Sequence, residues 1–344
     1  MWNRVKTFFS PRHSSALAQP AVLHPGPGSK ASPDNAENIY PLDLEGAALD
    51  EAFLSRVLGG EVDEAASLNV AESAALQAFL TVIESDLADR QLIPRLPAML
   101  PRLMSTLRDP ASTNKELAAL IGRDMVSVSE VLRLANSPYY RRASETRSLE
   151  QAVLVIGRQG LKQMVTNLLV KPIFGAGQGS LSGASGPLLW EQSEKAALVN
   201  AALARHDKAD EFDAYLAGIA SNLGLLVGCR VLDKLSAKLP SPHSQAFRDR
   251  WVRLDRQLSA RVTRLWSFPD GACAALAGLL LPVHSQLPAD SQRLYSAERF
   301  SRYHCLHGGR LPVVPATALR QGSVVSERFT LAMGVLARFE QRLT

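Results

Sequence analysis

Cysteine is scarce: the chain has three in 344 residues, Cys229, Cys273 and Cys305, and they are widely separated. That number excludes a disulfide framework and makes a reducing compartment, the cytoplasm, the simpler setting. Aromatic residues are also few, at 6%. No charge of one sign dominates, since 38 Lys and Arg face 33 Asp and Glu for a net charge of +5. The arginines are scattered through the sequence and not interleaved with aromatics, which argues against a dedicated, sequence-reading nucleic-acid binder. Long apolar runs are missing too. The longest nearly pure one, Ala272 to Val283, falls short of the roughly 18 to 20 residues that cross a bilayer, so no transmembrane segment is expected. What remains, 46% hydrophobic and 21% charged residues, is ordinary globular usage, and the length fits one or two compact units plus tails.

Four zones follow from composition. Residues 1–35 hold no acid before Asp34 and mix Pro, Gly, Ser and His irregularly. Such a stretch cannot bury enough apolar surface to offset its ordering entropy, so it reads as a disordered basic arm. Its opening, Met1 to Phe9, could touch an anionic membrane only weakly, and it lacks the apolar core and cleavage site of a secretory signal. Residues 36–90 read as a helical extension, with Leu76, Phe79, Leu80 and Ile83 on one stripe and Asn69 with Glu72 as its capping pair.

Residues 91–287 carry the strongest signals. Thr113 with Glu116 is a capping box that opens a helix through Leu117, Leu120 and Ile121. Gly122 ends it as a left-handed stop. Ser127 with Glu130 reads as a second box, and that helix must stop at Asn136-Ser137-Pro138. Ser148 with Gln151 starts a third helix, Gly157 and Gly160 mark a joint, and Leu161, Met164, Val165 and Leu168 form a further stripe. Residues 175–186, GAGQGSLSGASG, read as a flexible connector between two helical halves, because no strand precedes them and no Lys-Ser/Thr follows to make a phosphate loop. Helices are then expected over Leu188–Ala204, Asp213–Leu232, Leu254–Leu265 and Ala272–Leu281. Residues 288–344 read as a Pro-rich segment followed by one amphipathic helix with Phe329, Ala332, Met333 and Leu336 on its stripe. No alternating strand pattern competes, so the fold class is all-α.

A family resemblance rests on ordered motifs. Leu92-Ile93-Pro94-Arg95-Leu96-Pro97-Ala98-Met99, then Glu116-Leu117-Ala118-Ala119-Leu120-Ile121 and Arg123-Asp124, resemble the opening of an HDOD domain. So does Val131-Leu132-Arg133-Leu134-Ala135-Asn136-Ser137-Pro138-Tyr139-Tyr140. The similarity continues through Ser148 to Val153, Ile156-Gly157 and Leu161. Leu189-Trp190-Glu191-Gln192-Ser193, Ala217 to Gly224 and Leu265-Trp266-Ser267-Phe268-Pro269 then take the family's later positions. It spans roughly Leu92 to Leu287.

This resemblance implies a multi-helix fold similar to the HD phosphohydrolases, in which His and Asp side chains hold a metal that activates water against a phosphate ester. It also implies bacterial signal transduction. At the corresponding positions, Gln192 stands where the pattern has His before Ser, Ser221-Asn222 replaces the His-Asp doublet, and Asp255 aligns with a later His. Amides and a hydroxyl are poor substitutes for imidazole and carboxylate, so the metal site is expected to be degenerate, with no metal, no cofactor and no hydrolysis.

Two other clusters compete. His206-Asp207 is a literal His-Asp pair, but it lies in a charged stretch and reads as a helix end. His304-Cys305-Leu306-His307 has metal-ligand residue types without a second cluster to complete four ligands, and reads as a solvated turn. Asn136-Ser137-Pro138-Tyr139 reads first as a structural turn and second as an interaction surface. Two function classes result. One is a non-catalytic regulatory protein that contacts unidentified signalling proteins, with a small nucleotide as the candidate ligand of the former cavity. The other is a divergent metal-dependent phosphohydrolase acting on a nucleotide such as cyclic di-GMP.

Overall fold

The computed structural model describes residues 47–85, 92, 105–106, 109, 111–123, 125–137, 145–175, 179–235, 239, 241–281, 287–309 and 324–343. The proposed arm, residues 1–35, and Pro138, Tyr139 and Tyr140 of the family turn lie outside them. Among the described residues there are twelve helices, α1 (Ala47–Leu58), α2 (Val70–Glu84), α3 (Asn114–Ile121), α4 (Met125–Ala135), α5 (Leu149–Gly175), α6 (Ser180–His206), α7 (Glu211–Ala220), α8 (Leu223–Lys234), α9 (Gln245–Leu265), α10 (Asp270–Gly278), α11 (Ala289–Leu306) and α12 (Val324–Leu343). A short parallel pair, β1 (Val62–Asp63) with β2 (His243–Ser244), is the sheet structure they contain, with Val62 opposite His243. The fold is all-α.

Local chemistry sets several boundaries as the sequence implies. Asn69 accepts from the Glu72 amide at 2.8 Å while the Glu72 carboxylate accepts from the Asn69 amide at 3.0 Å, a reciprocal cap on α2. Thr113 and Glu116 repeat this on α3, and Ser148 Oγ accepts from the Gln151 amide at the start of α5. Gly157 interrupts α5 at φ 76°, ψ 161°, the extended left-hand region that a side chain resists.

Other boundaries differ. Gly122 closes α3 at φ −60°, a right-handed conformation, so it is not the left-handed stop that was expected. Ser127 lies inside α4, which begins at Met125, and is therefore not its cap. The Gly/Ser run is helical from Ser180 onward. Its small residues serve close packing. A Cβ on Gly186 would strike the Phe174 carbonyl and one on Gly179 would strike Asp233, whose carboxylate accepts from the Leu181 and Ser182 amides at 2.8 and 2.9 Å and so caps α6 from a distance. Within the segment expected to be Pro-rich, α11 occupies Ala289–Leu306.

α6 is the central element; α7, α8, α11, α12 and the second part of α5 all pack on it. At its crossing with α7 a Cβ on Gly218 would come within 2.5 Å of the Ala197 amide nitrogen, so glycine is what lets the backbones touch. The main core joins α1 to α11, with the Trp251 ring tilted between those of Phe79 and Phe247 at centroid separations of 4.7 and 5.2 Å. Full burial of each such ring contributes roughly 1.5–3 kcal/mol. A second core, with Leu49, Val199, Phe300, Phe329, Met333 and Leu336 among its members, fixes α12 against α1, α6 and α11. One stretch, Glu211–Lys234, is long and apolar enough to cross a membrane by length and composition, with mean hydropathy 1.5, which the sequence reading did not anticipate. Its 18-residue window is 89% buried inside the protein, and Ser221-Asn222 breaks it into α7 and α8.

Candidate functional site

Gln192, Ser221, Asn222 and Asp255 converge on one buried layer. Gln192 lies midway along α6, Ser221 and Asn222 form the break between α7 and α8, and Asp255 lies midway along α9. Exposures are 0% for Gln192 and Asn222, 6% for Ser221 and 4% for Asp255. The break exists because Ser221 Oγ turns back onto the Gly218 carbonyl at 2.9 Å, while Asn222, whose side chain makes no cap to its own helix, points across to α6 instead. Asn222 Nδ2 donates toward the Leu189 carbonyl at 3.1 Å, Ser193 Oγ at 3.0 Å and Gln192 Oε1. Gln192 Nε2 in turn donates to Ser301 Oγ at 2.7 Å and lies 3.3 Å from the Glu298 carbonyl, both on α11. The amides thus bond to one another and to α11, while Asn222 Oδ1 is buried without a hydrogen-bond partner among the described residues.

Asp255 sits next to this chain. Ser259 Oγ accepts from the Gly224 amide at 2.9 Å and lies 3.3 Å from the Ser221 carbonyl and 3.4 Å from Asp255 Oδ1, linking the α7–α8 break to α9. Burial pushes the Asp255 carboxyl up to about 7, and the neighbouring Glu298 adds to the rise against the opposing pull of Arg302 and Arg256. Glu298 is likewise pushed up by burial. Arg302 reaches Asp50 Oδ1 at 2.7 Å and Glu298 Oε2 at 3.6 Å, and Arg299 reaches Asp50 Oδ2 at 3.3 Å. These two guanidiniums hold Asp50 below the usual carboxylate range in spite of its burial.

The donor set does not fit a catalytic divalent ion. Two amides, a hydroxyl already bonded to a carbonyl and a carboxyl near 7 offer little negative charge, and a guanidinium stands beside them. Among the described residues no three His, Cys, Asp or Glu side chains group closely enough to hold a metal. A cavity of about 150 Å³ lies elsewhere, lined by Asn200, Asp210, Asp213, Asp290 and Arg293 among others.

Glu298, Ser301 and Arg302 escaped the sequence reading because α11 lies beyond the family resemblance. The i, i+4 spacing of Glu298 and Arg302 was the available signal. The competing clusters are placed as follows. His206 ends α6, and Asp207 Oδ1 contacts its Nδ1 at 3.0 Å while Asp207 Oδ2 pairs with Arg293 and Arg328, so the doublet ties α6 to α11 and α12. His304 and Cys305 are not in a solvated turn. They belong to the last turns of α11, where His304 is fully buried near Lys195 and Glu340. Asn136 exchanges hydrogen bonds with the Thr146 backbone, its Nδ2 donating to the carbonyl at 2.9 Å and its Oδ1 accepting from the amide at 2.8 Å, which ties the end of α4 to the residues just before α5. Ser137 is half-buried beside it.

Comparison with known proteins agrees with this architecture. The HDOD domain model matches residues 93–278. An uncharacterized protein of Treponema pallidum strain Nichols is 26% identical over 207 residues, 59% of this chain and 36% of the relative, so the chain spans about a third of the length of that curated relative. Two solved structures show the same fold. One, from Marinobacter aquaeolei VT8, is described as a candidate signal transduction protein; it has TM-score 0.53 and 19% identity, covering 80% of this chain and 67% of the other. The second, from Shewanella amazonensis SB2B, is described as a candidate phosphohydrolase, with TM-score 0.50 and 18% identity over 77% and 94% of the two chains.

Proposed function

The chain belongs to the HDOD family, and from that premise we propose that it is a non-catalytic regulatory protein of bacterial signal transduction, cytoplasmic, acting through contacts with other proteins. One observation carries this reading. The Gln192 amide, at the position where the family resemblance implies a metal ligand, is bonded on one side to Asn222 and on the other to Ser301 of α11. Asp255, the one carboxylate at the four positions, has its charge offset by burial and faces the Arg302 guanidinium. The side chains therefore bond to one another where the family resemblance implies an ion, with Asn222 Oδ1 left as a buried acceptor. The signalling description of one structural neighbour supports the role, and the partners are signalling proteins, with a small nucleotide as the alternative ligand and no specific nucleic acid.

A second reading, a divergent phosphohydrolase, draws on the two adjoining buried carboxyls of Asp255 and Glu298 and on the description of the other neighbour. Purified protein incubated with cyclic di-GMP, or a generic phosphodiester, and Mn, Mg, Fe or Zn ions distinguishes the two. The regulatory reading expects no metal-dependent hydrolysis above the protein-free rate; turnover that Asp255→Ala abolishes establishes the enzyme.

A further inference from the structure

Arginines that look scattered in the sequence are gathered by one helix. α9 carries Arg248, Arg250, Arg253, Arg256, Arg261 and Arg264. Arg248 is 2% exposed and donates to the Gly60 carbonyl at 3.0 Å, and Arg256 donates to the Leu279 carbonyl at 3.2 Å. The other four, Arg250, Arg253, Arg261 and Arg264, are exposed. At about 100° per residue their offsets of 0, 3, 11 and 14 place them within one sector of about 80°, along about 21 Å of helix. Among the described residues no carboxylate forms an ion pair with any of the four; Arg261 alone is tethered, to the Ile83 carbonyl at the end of α2.

The apolar face of α9, with Phe247, Trp251, Leu258 and Val262, is buried. With that face buried, the helix offers no broad apolar face to a lipid surface, and guanidiniums dominate its exposed side. Exposed acids flank the stripe: Asp249 beside Arg250, Glu84 next to Ile83, and Asp270 just past its end. A nucleic-acid strand, with a phosphate at every step, meets those carboxylates unfavourably, whereas a partner whose acids are spaced to match the arginines avoids them. Leu265, 44% exposed beside Arg264, adds an apolar contact that a phosphate backbone cannot use.

We propose that the α9 stripe docks an acidic helical segment of a partner protein, with carboxylates on one face at a complementary spacing. This rests on the protein-contact reading above and names the chemistry of the contact. The probe is a fluorescent helical peptide with Glu at offsets 0, 3, 7, 11 and 14, compared by anisotropy with a scrambled peptide of equal composition, on the full chain. The matched peptide is expected to bind at least about tenfold more tightly than the scrambled one, and added salt weakens it. The triple variant Arg250→Gln, Arg253→Gln, Arg264→Gln, which spares the tethered Arg261, is expected to lose about tenfold in affinity with an unchanged unfolding curve. Equal affinity for both peptides, an unaffected triple variant, absence of binding, or tighter binding of a short DNA duplex or phosphatidylserine vesicles each overturns the proposal. Hydrolysis is measured independently, so discovery of turnover leaves the peptide result standing, and failure of peptide binding leaves the no-turnover reading standing.

Discussion

Replacing Arg302 by Met isolates the charge that holds α11 over the layer of Gln192, Asn222 and Asp255. The guanidinium is 10% exposed at the side chain, pairs with Asp50 at 2.7 Å and Glu298 at 3.6 Å, and lies 5.2 Å from the centre of the Phe53 ring. Methionine keeps most of the volume, so cavity formation contributes little and the change reports the charge. Breaking a buried pair from one side costs about 3–5 kcal/mol, because the remaining partner is left uncompensated. Here the lower end applies, since Asp50 is 27% exposed and retains Arg299, and Asp255 and Glu298 can escape by taking up protons. A loss of about 3 kcal/mol at pH 8.5 is expected, or a fall in Tm of roughly 4 °C. At pH 6, below the Asp255 value of about 7, that carboxyl is already neutral and needs no counter-charge, so the loss should shrink to about half. Urea unfolding at the two pH values measures both quantities. An Arg302→Met chain within about 0.5 kcal/mol of the parent, or one destabilised equally at both pH values, refutes the coupling of Arg302 to Asp255 and Glu298.

Asp255→Asn tests the same layer from the other side. A carboxyl raised from 3.8 to about 7 keeps its proton in the folded state while the unfolded chain releases it, so it lowers stability progressively as pH rises from about 4 to about 7 and has no further effect above that. The Asn variant should flatten this slope in a series of unfolding curves; an unchanged slope means Asp255 titrates normally. Gly224→Ala places a methyl group against the Asp255 carbonyl and within 2.5 Å of Asp255 Oδ1, and is expected to cost about 1–3 kcal/mol or more; a neutral effect in thermal melts shows that α8 and α9 do not touch there. Leu336→Ala removes a fully buried side chain from the second core and should cost about 2–5 kcal/mol; a loss under about 0.5 kcal/mol in urea unfolding would mean α12 is not packed as described.

The parts of the fold legible in the sequence are those governed by neighbours in the chain. The Asn69–Glu72 and Thr113–Glu116 boxes lie within one helical turn, the Phe329-Ala332-Met333-Leu336 stripe is periodic, and Gly157 is a local backbone break. What was not legible depends on distant partners. α11 has no clear apolar stripe to announce it, because the residues it buries include Ser291, Glu298, Arg299, Ser301, Arg302 and His304, several of them paired with distant residues such as Asp50, Gln192 and Glu340. The start of α6 is hidden for the same reason: its cap, Asp233, is contributed by α8. At the candidate site the family motifs single out Gln192, Ser221, Asn222 and Asp255, which the fold brings together, but the sequence offers no means of seeing that Ser301 and Arg302 adjoin them.

Whether side chains or an ion occupy that layer can be measured directly. Crystals grown with millimolar manganese, with diffraction recorded at the manganese absorption edge, are expected to show no anomalous peak between Gln192, Asn222, Asp255 and Ser301. A well-occupied peak coordinated by Asp255, with the Gln192 amide swung away from Ser301, would contradict the account.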